Sequence, residues 1–186
     1  MKQDIKEKSI LLFEKKGFSE TSIQDIVEAL GVTKGTFYYY FTSKEQLLMD
    51  IHIGYIEELL ERQKKIQQSN WSNREKLEQL LAVLITDIVN HGPSGKVFFR
   101  EMRHLSEENA REVKMKRELF RKNVEAIISK GIEQKEFRKG LEPEIIAFAI
   151  LGVTNWSYQW FNPTGEISAS RLACIYSDLI FNGLVE

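Results

Sequence analysis

Residues that build disulfides, metal sites and flexible linkers are scarce in this sequence. One cysteine in 186 residues makes an internal disulfide impossible and excludes a zinc-finger cluster. Only three prolines are present, so long uninterrupted helices are possible. Because the single cysteine, Cys174, lies in an apolar stretch with helical spacing, we expect it to be buried as a small hydrophobic residue.

An excess of positive charge is also missing. The formal net charge is −1, and the first 50 residues contain seven lysines and eight acidic residues. Overall basicity therefore gives no argument for nucleic-acid binding, and any affinity for DNA has to come from a local surface.

Long hydrophobic runs are absent as well. The longest, from Ile145 to Val153, is much shorter than the ~20 residues that a membrane-spanning helix needs. The first eight residues are too charged for a secretory signal. We expect a cytoplasmic protein without membrane association.

Helical spacing of apolar residues dominates what remains, and strand-like alternation is not seen. Capping signals precede three of the helices: Thr21 with Gln24 three residues later, Thr33, and Ser43. The predicted helices cover about 3–16, 22–30, 33–40, 44–67, 73–91, 97–104, 106–135, 143–161 and 168–182. The sequence thus predicts an all-α fold of about nine helices. An N-terminal three-helix domain (residues 1–47) precedes a larger helical body (residues 48–186), and the boundary falls inside the fourth helix.

Two short helices separated by Gly31 and Val32 form a helix-turn-helix pattern, because glycine allows the chain to reverse sharply. In the second of these helices Phe37 and Phe41 are four residues apart, so they share a face that anchors the helix. The side chains left to project outward are Lys34, Thr36, Tyr38 and Tyr39. Ammonium and hydroxyl groups suit phosphates, and aromatic rings suit thymine methyl groups. Gly35 weakens the helix by ~1 kcal/mol, which predicts a close approach of its backbone to a partner.

These residues closely resemble the TetR/AcrR family of regulators. The matching stretches read TSIQDIV at 21–27, GVTKGTFYYYF at 31–41 and SKEQLL at 43–48. The resemblance implies that the third helix enters the major groove of an operator in double-stranded DNA. By resemblance, the DNA-contacting positions are Lys34, Gly35, Thr36, Tyr38, Tyr39 and Lys44, with Thr21 or Ser22 and Thr33 at helix starts that contact phosphate. Tyr40 stands where many members have histidine, and we include it in the predicted DNA-binding set.

The C-terminal segment GVTNWSYQWFNPTGEIS at 152–168 is similar to a branch of the family that regulates lipid, fatty-acid or sterol-ring catabolism. That resemblance implies a small hydrophobic effector, typically an acyl-CoA thioester. Large apolar groups with a few polar ones suit a pocket for such a chain. The predicted effector-binding residues are Phe98, Phe99, Met102, Arg103, Phe120, Asn123, Asn155, Trp156 and Trp160, and Arg103 is suited to a phosphate or carboxylate. The alternative for each aromatic residue is an ordinary place in the core, and for Arg103 it is a surface ion pair.

The last two helices carry apolar residues around much of their circumference, and such a helix has to be buried on both sides. A partner subunit would cover the second side, which predicts a homodimer with a four-helix interface. The predicted interface residues are Ile145, Phe148, Leu172, Ile175, Tyr176 and Leu179. Two reading helices would then be spaced by about one duplex turn, ~34–36 Å.

The sequence therefore predicts a repressor of lipid or fatty-acid metabolism genes that an acyl-CoA-type effector releases from DNA. Three other functions stay open as alternatives. The first is an all-helical enzyme, but His52, His91 and His104 are scattered, and no catalytic residue, metal site or cofactor is predicted. The second is a DNA-binding protein of the same family without an effector. The third is a regulator of drug efflux that senses aromatic or cationic compounds, which would also use an aromatic pocket.

Overall fold

The computed structural model describes residues 1–184, and these contain nine α-helices and no strand. The helices are α1 (Lys2–Lys16), α2 (Ile23–Leu30), α3 (Lys34–Tyr40), α4 (Lys44–Gln68), α5 (Asn73–Asn90), α6 (Gly92–Arg100), α7 (Glu107–Glu133), α8 (Pro143–Trp160) and α9 (Ala169–Leu184). A 3-10 turn (Met102–His104) lies between α6 and α7. The all-α prediction is confirmed. Within the described part of the chain, no helix has the length and hydrophobicity needed to cross a membrane.

The start of the sixth helix differs from its prediction. Gly92, Pro93 and Gly95 are typical of a loop and place the predicted start near Val97, but α6 begins at Gly92. Pro93 is the second residue of this helix, where a missing N–H breaks no hydrogen bond of the helix and the fixed φ suits helical backbone. Three residues whose types are typical of a loop therefore belong to the first turn of α6.

The chain forms two compact units. The first contains residues 1–57 and 93–115, and the second contains residues 58–92 and the chain from Lys116 onward. The three divisions along the chain fall within α4, after the first residue of α6 and within α7. The predicted boundary at 47/48 assigned 93–115 to the larger body, whereas their contacts group them with the N-terminal helices. Where the functional boundary lies stays a prediction.

The core of the first unit consists of large apolar side chains from its helices. Ile5 and Phe13 of α1, Ile26 of α2 and Leu47 of α4 are completely buried. The ring of Phe98, on α6, is also buried and lies 4.8 Å from that of Tyr55. Because α2 and α3 are only eight and seven residues long, neither would be stable alone, and this shared core is what keeps them helical.

The second unit is built around α5, which packs against α8 and α9. Leu77, Leu80, Leu81 and Ile85 give α5 a completely buried apolar face. Leu172, which was predicted to lie at a dimer interface, is only 3% exposed and belongs to this interior. Its burial inside the subunit argues against the predicted role.

A buried carboxylate interrupts the apolar face of α5. Asp87 has no exposed surface, and it accepts hydrogen bonds from the Arg62 guanidinium and, at 2.8 Å, from the Tyr158 hydroxyl. The Nδ1 atom of His91 lies 2.8 Å from the same carboxylate. These partners come from α4, from α8 and from the residue that ends α5. A buried charge is tolerated only when it is compensated in this way, so the cluster fixes how these helices pair.

The single cysteine differs from its prediction. Cys174 is exposed on α9 rather than buried. The apolar spacing that suggested burial belongs to a helix that keeps Ile175 and Leu179 exposed as well. Periodicity identified the helix correctly but did not distinguish the side that packs within the subunit from the side left open.

Gly131 of α7 is required by the close packing of Phe137. A Cβ atom on residue 131 would lie 2.3 Å from two atoms of the Phe137 ring, which is far inside van der Waals contact. The carbonyl of Gly131 also accepts hydrogen bonds from the backbone amides of Glu136 and Phe137, which turns the chain back over the helix. The absence of a side chain lets the ring cover the end of α7.

We therefore expect Gly131→Ala to destabilise the protein although alanine favours helix by ~1 kcal/mol. Overpacking costs ~1–3 kcal/mol, which outweighs that gain and lowers the midpoint of thermal unfolding by several degrees. Gly54→Ala is the matched control, since its Cβ would meet only the flexible Lys6 ammonium at 3.4 Å. Thermal melts that show the two variants equally stabilised would contradict this account of Gly131.

Candidate nucleic-acid interface

The turn between α2 and α3 has the conformation that a helix-turn-helix requires. Gly31 adopts the left-handed conformation with φ 66°, which only glycine accepts without strain. Its amide donates to the carbonyl of Glu28, and the amide of Val32 donates to that of Val27 at 2.9 Å. Thr33 then caps α3, because its hydroxyl accepts a hydrogen bond from the Thr36 amide.

Helix α3 has one buried side and one open side. Phe37 is completely buried and Phe41 is 2% exposed, with their ring centroids 5.7 Å apart, so the predicted anchor is confirmed. On the other side Tyr39 is 82% exposed and Tyr38 is 54% exposed. Among the remaining predicted residues of this helix and its cap, Thr33, Lys34 and Gly35 are exposed, and Thr36 and Tyr40 are partly buried.

The exposed tyrosines are partly ordered by their neighbours. The rings of Tyr39 and Tyr40 lie 4.8 Å apart and almost perpendicular, which is a favourable edge-to-face arrangement. The Tyr38 ring meets Phe37 in the same way at 5.5 Å. Tyr39 thus stands out from the surface with a defined orientation, which reduces the entropy that it would lose on binding a partner.

The start of α2 is capped one residue later than the sequence suggested. Ser22, not Thr21, is the N-cap: its hydroxyl accepts from the Asp25 amide at 3.1 Å, and the Asp25 carboxylate accepts from the Ser22 amide at 2.7 Å. That amide, the Ser22 hydroxyl and Lys16 together lower the pKa of Asp25 to about 2. Thr21 is completely buried, and its hydroxyl donates to the Gly17 carbonyl. Of the two candidates for a phosphate contact at this helix start, Ser22 is therefore the accessible one.

Lys44 has an unusual position for a residue that was predicted to contact DNA. Its ammonium donates to the carbonyls of Phe18 and Thr21 at 2.7 and 2.6 Å, and it lies 4.2 Å from the centre of the Phe18 ring. Desolvation by these surroundings lowers the pKa of Lys44 below its ordinary value. The side chain thus ties the first turn of α4 to the loop that precedes α2. Its contact with DNA stays a prediction.

The predicted effector residues are distributed over both units. In the first unit Phe98 is buried, Phe99 and Met102 are partly buried, and Arg103 is exposed. In the second unit Phe120 is buried, Asn123 and Asn155 are partly buried, and Trp156 and Trp160 are 66% and 49% exposed. The amide of Asn123 donates to the Gln63 side chain at 2.7 Å, and Gln63 in turn donates to the Phe120 carbonyl. A common pocket for these residues stays a prediction.

The polar interior of the second unit was missed from the sequence. Gln63 and Asp87 have no exposed surface, yet neither was considered as a candidate. The signal was present for Asp87, because it follows Leu80 and Leu84 at helical spacing and precedes Ile88 on the same apolar face. For Gln63, on the long amphipathic α4, the sequence contains no comparable signal.

Most of the predicted dimer residues are exposed in a single subunit. Ile145, Phe148, Ile175 and Leu179 are 62%, 53%, 38% and 64% exposed. Tyr176 is partly buried and shares a hydrogen bond of 2.7 Å with the Ser157 hydroxyl. Trp156 lies on the same side of α8 as Ile145 and Phe148, since the spacing of 145, 148, 152 and 156 follows the helical repeat. The two helices therefore present an open apolar surface.

Two family models match this chain. One, described as bacterial regulatory proteins of the tetR family, matches residues 7–51. The other, described as a tetracyclin repressor-like C-terminal domain, matches residues 70–184. The first match contains α2, α3 and the start of α4, and the second contains α5 to α9.

Individual relatives agree with these matches over the whole chain. The HTH-type transcriptional repressor KstR2 of Rhodococcus jostii (strain RHA1) is 26% identical over 175 residues, which are 93% of this chain and 85% of the relative. The structure of the TetR family regulator PfmR from Thermus thermophilus has a TM-score of 0.90 at 30% identity, and the match covers 98% and 99% of the two chains. The structure of AibR in complex with isovaleryl coenzyme A and operator DNA has a TM-score of 0.85 at 26% identity, with 97% of each chain covered.

The turn, the anchored α3 and the family matches over both parts of the chain lead to one conclusion: the chain belongs to the TetR family and is a DNA-binding transcriptional repressor.

Proposed function

We propose that this repressor reads its operator with the open side of α3 and that an acyl-CoA thioester releases it from DNA. The proposal that α3 reads the operator rests on Gly35. A Cβ atom at this position would meet only the Thr33 hydroxyl at 3.5 Å, which is ordinary contact. The fold therefore does not need glycine here, although glycine weakens a helix by ~1 kcal/mol. A close approach of DNA to this backbone supplies the missing reason.

The neighbours of Gly35 complete a surface that suits the major groove. Lys34 offers an ammonium group to phosphate, and the exposed rings of Tyr38 and Tyr39 suit thymine methyl groups. The Thr33 hydroxyl lies at the start of α3, where the free amides of a helix favour a phosphate. Ser22 is exposed at the start of α2, and a phosphate there would have to replace the hydrogen bonds that Ser22 makes to the Asp25 carboxylate. Lys34 is the only charged residue from Gly31 to Thr42, so the fit of the surface has to contribute much of the affinity.

Two variants test this surface. Gly35→Ala should leave the fold equally or more stable yet weaken operator binding at least tenfold, because its methyl group occupies the space that DNA needs. Tyr39→Ala should also weaken binding at least tenfold, since a base contact is worth ~1–3 kcal/mol. Electrophoretic mobility shifts give the affinities, and gel filtration checks that the dimer persists. Wild-type affinity in both variants would refute the assignment of α3.

The salt dependence of operator binding distinguishes a lysine that contacts phosphate from a lysine that only stabilises the fold. Each phosphate contact contributes ~0.9 to the slope of log affinity against log salt concentration. Lys34→Ala should reduce the slope by about that amount for each subunit. If Lys44 acts only by holding Phe18 and Thr21, Lys44→Ala should weaken binding and lower the unfolding temperature with an unchanged slope. A reduced slope for Lys44→Ala would show that this lysine leaves its carbonyl partners to contact DNA.

TetR-family regulators bind operator DNA as dimers, and we propose that α8 and α9 form the dimer surface here. Ile145, Phe148, Ile175 and Leu179 expose apolar area that is costly to leave in water, at ~25 cal/mol per Å². Trp156 and Trp160 are exposed on α8 as well, so in this subunit they suit an interface better than an enclosed pocket. A two-fold dimer would pair two copies of α3 for the two halves of an operator.

One relative supports an acyl-CoA as effector, because AibR has been crystallised with isovaleryl coenzyme A and operator DNA. KstR2 of Rhodococcus jostii, which matches nearly the whole chain, supports the repressor function. Helix α4 runs without interruption from Lys44, close to α3 in sequence, to Gln68. A ligand that displaces its second half would therefore move its first turn, provided that the ligand prefers the displaced state.

Thermal unfolding of the protein, measured with a panel of compounds, tests the proposal of an acyl-CoA effector. A ligand at 100 times its dissociation constant adds ~2.7 kcal/mol, which raises the unfolding midpoint by roughly 5–10 °C. We expect isovaleryl-CoA or a long-chain acyl-CoA to produce this shift and to weaken operator binding, while free fatty acids do not. A shift with cationic drugs alone would favour a regulator of efflux. Operator binding that no compound changes would favour a repressor without an effector.

A further inference from the structure

A concave site lies in the first unit, and no residue of α3 lines it. It has a volume of about 460 Å³, within the range of small-molecule sites. The residues that line it come from the 3-10 turn and the first two turns of α7: Met102, Arg103, Leu105, Glu107, Ala110, Arg111 and Lys114. The cavity is open to solvent on one side, so a ligand could enter without unfolding either element.

The charges around this cavity are not balanced. Arg103, Arg111 and Lys114 face a single acid, Glu107, and none of the three cations has a carboxylate within ion-pair distance among the described residues. The Nε atom of Arg103 donates a hydrogen bond of 3.3 Å to the Nε2 atom of His104. Like charges held around one cavity repel each other, and this arrangement disfavours the fold unless an anion offsets it.

The floor of the cavity is apolar. Leu105 is 8% exposed, and Met102 and Ala110 are partly buried beside it. Cations at the rim and apolar groups below suit a molecule that has an anionic group at one end and a hydrocarbon or ring at the other. Guanidinium groups favour phosphate in particular, because they bind two of its oxygens at once.

The wall formed by the start of α7 is held in place by the first turn of α4. The Glu45 carboxylate accepts hydrogen bonds of 2.8 Å from the Ser106 amide and from the Asn109 side chain. These bonds lower the pKa of Glu45, so the contact persists as an ion under ordinary conditions. The start of α7 is thereby fixed to the helix that follows α3, and the cavity is preformed on ordered elements.

We propose that this cavity binds a small phosphate ester with an apolar substituent. The phosphate lies between Arg103, Arg111 and Lys114, and the substituent covers Met102 and Leu105. The backbone of DNA is a less suitable occupant, because a concave site with an apolar floor offers nothing to a continuous sugar-phosphate chain. The proposal does not depend on the reading of the operator by α3, and it specifies a phosphate-binding place that the acyl-CoA proposal does not require.

Titration calorimetry of the 186-residue protein with phenyl phosphate tests the site. Phenyl phosphate should bind wild-type protein more tightly than methyl phosphate does, because only the phenyl ring reaches the apolar floor. Phenol, which has no phosphate, should not bind. Arg111→Ala with Lys114→Ala should weaken phenyl phosphate at least tenfold. Both positions are exposed on a helix and alanine is a good helix former, and unfolding temperatures check that the variant is folded.

Lys64→Ala with Lys65→Ala is the matched control, since it removes two exposed lysines of α4 and the same net charge. Its affinity for phenyl phosphate should equal that of the wild type. Equal binding in all three proteins, or no binding to wild type at about 10 mM ligand, a concentration at which even a millimolar site is filled, would overturn the proposal.

Two further arms identify the source of the phosphate. If coenzyme A displaces phenyl phosphate, the natural occupant is the nucleotide end of a CoA ester. If only other phosphate esters displace it, the natural occupant is a separate metabolite. Operator binding without added phosphate should have the same salt slope in wild type and in Arg111→Ala with Lys114→Ala. A slope reduced by ~0.9 for each cation removed would assign these side chains to the DNA backbone and overturn the proposal.

Discussion

The burial of Phe37 and Phe41 is the constraint on which the DNA-binding unit depends. Helix α3 has seven residues, one of them a glycine near its start, and a helix of this length is not stable in water by itself. Two rings on one side, both almost completely buried, replace the stability that its own hydrogen bonds cannot supply. Because the anchor uses only that side, the other side is free to carry residues chosen for a partner.

The first turn of α4 holds this arrangement through two successive residues. Lys44 binds the carbonyls of Phe18 and Thr21 in the loop before α2, and Glu45 binds the start of α7 through Ser106. Opposite charges on neighbouring residues thus connect α4 to two distant stretches of chain. A movement of α4 along its axis would strain both sets of hydrogen bonds together. Within this unit, a small displacement of α4 is therefore coupled to the loop before α2 and to the start of α7.

Local sequence signals predicted this unit well and predicted contacts between helices poorly. Gly31 and the spacing of Phe37 and Phe41 were sufficient for the turn and the anchor, because both depend on a few adjacent residues. Thr21 and Ser22 are both good caps, and only the fold shows that Thr21 faces the Gly17 carbonyl while Ser22 pairs with Asp25. The partners of Lys44 lie more than 20 residues away and leave no trace in its own neighbourhood.

In the second unit, too, the sequence predicted the helices but not the contacts between them. Helical spacing found α5, α8 and α9, but it could not distinguish Leu172, which is buried within the subunit, from Leu179, which is exposed on the same helix. Asp87 was hidden by the apolar pattern around it. A carboxylate among leucines is stable only with Arg62 and Tyr158 in place, so this cluster admits fewer alternative helix pairings than an apolar core would. A change in α4 that separated Arg62 from Asp87 would remove the guanidinium that helps to compensate this buried charge. The polar cluster therefore favours discrete positions of α4 over a continuous range, which is what the proposed control by an effector requires.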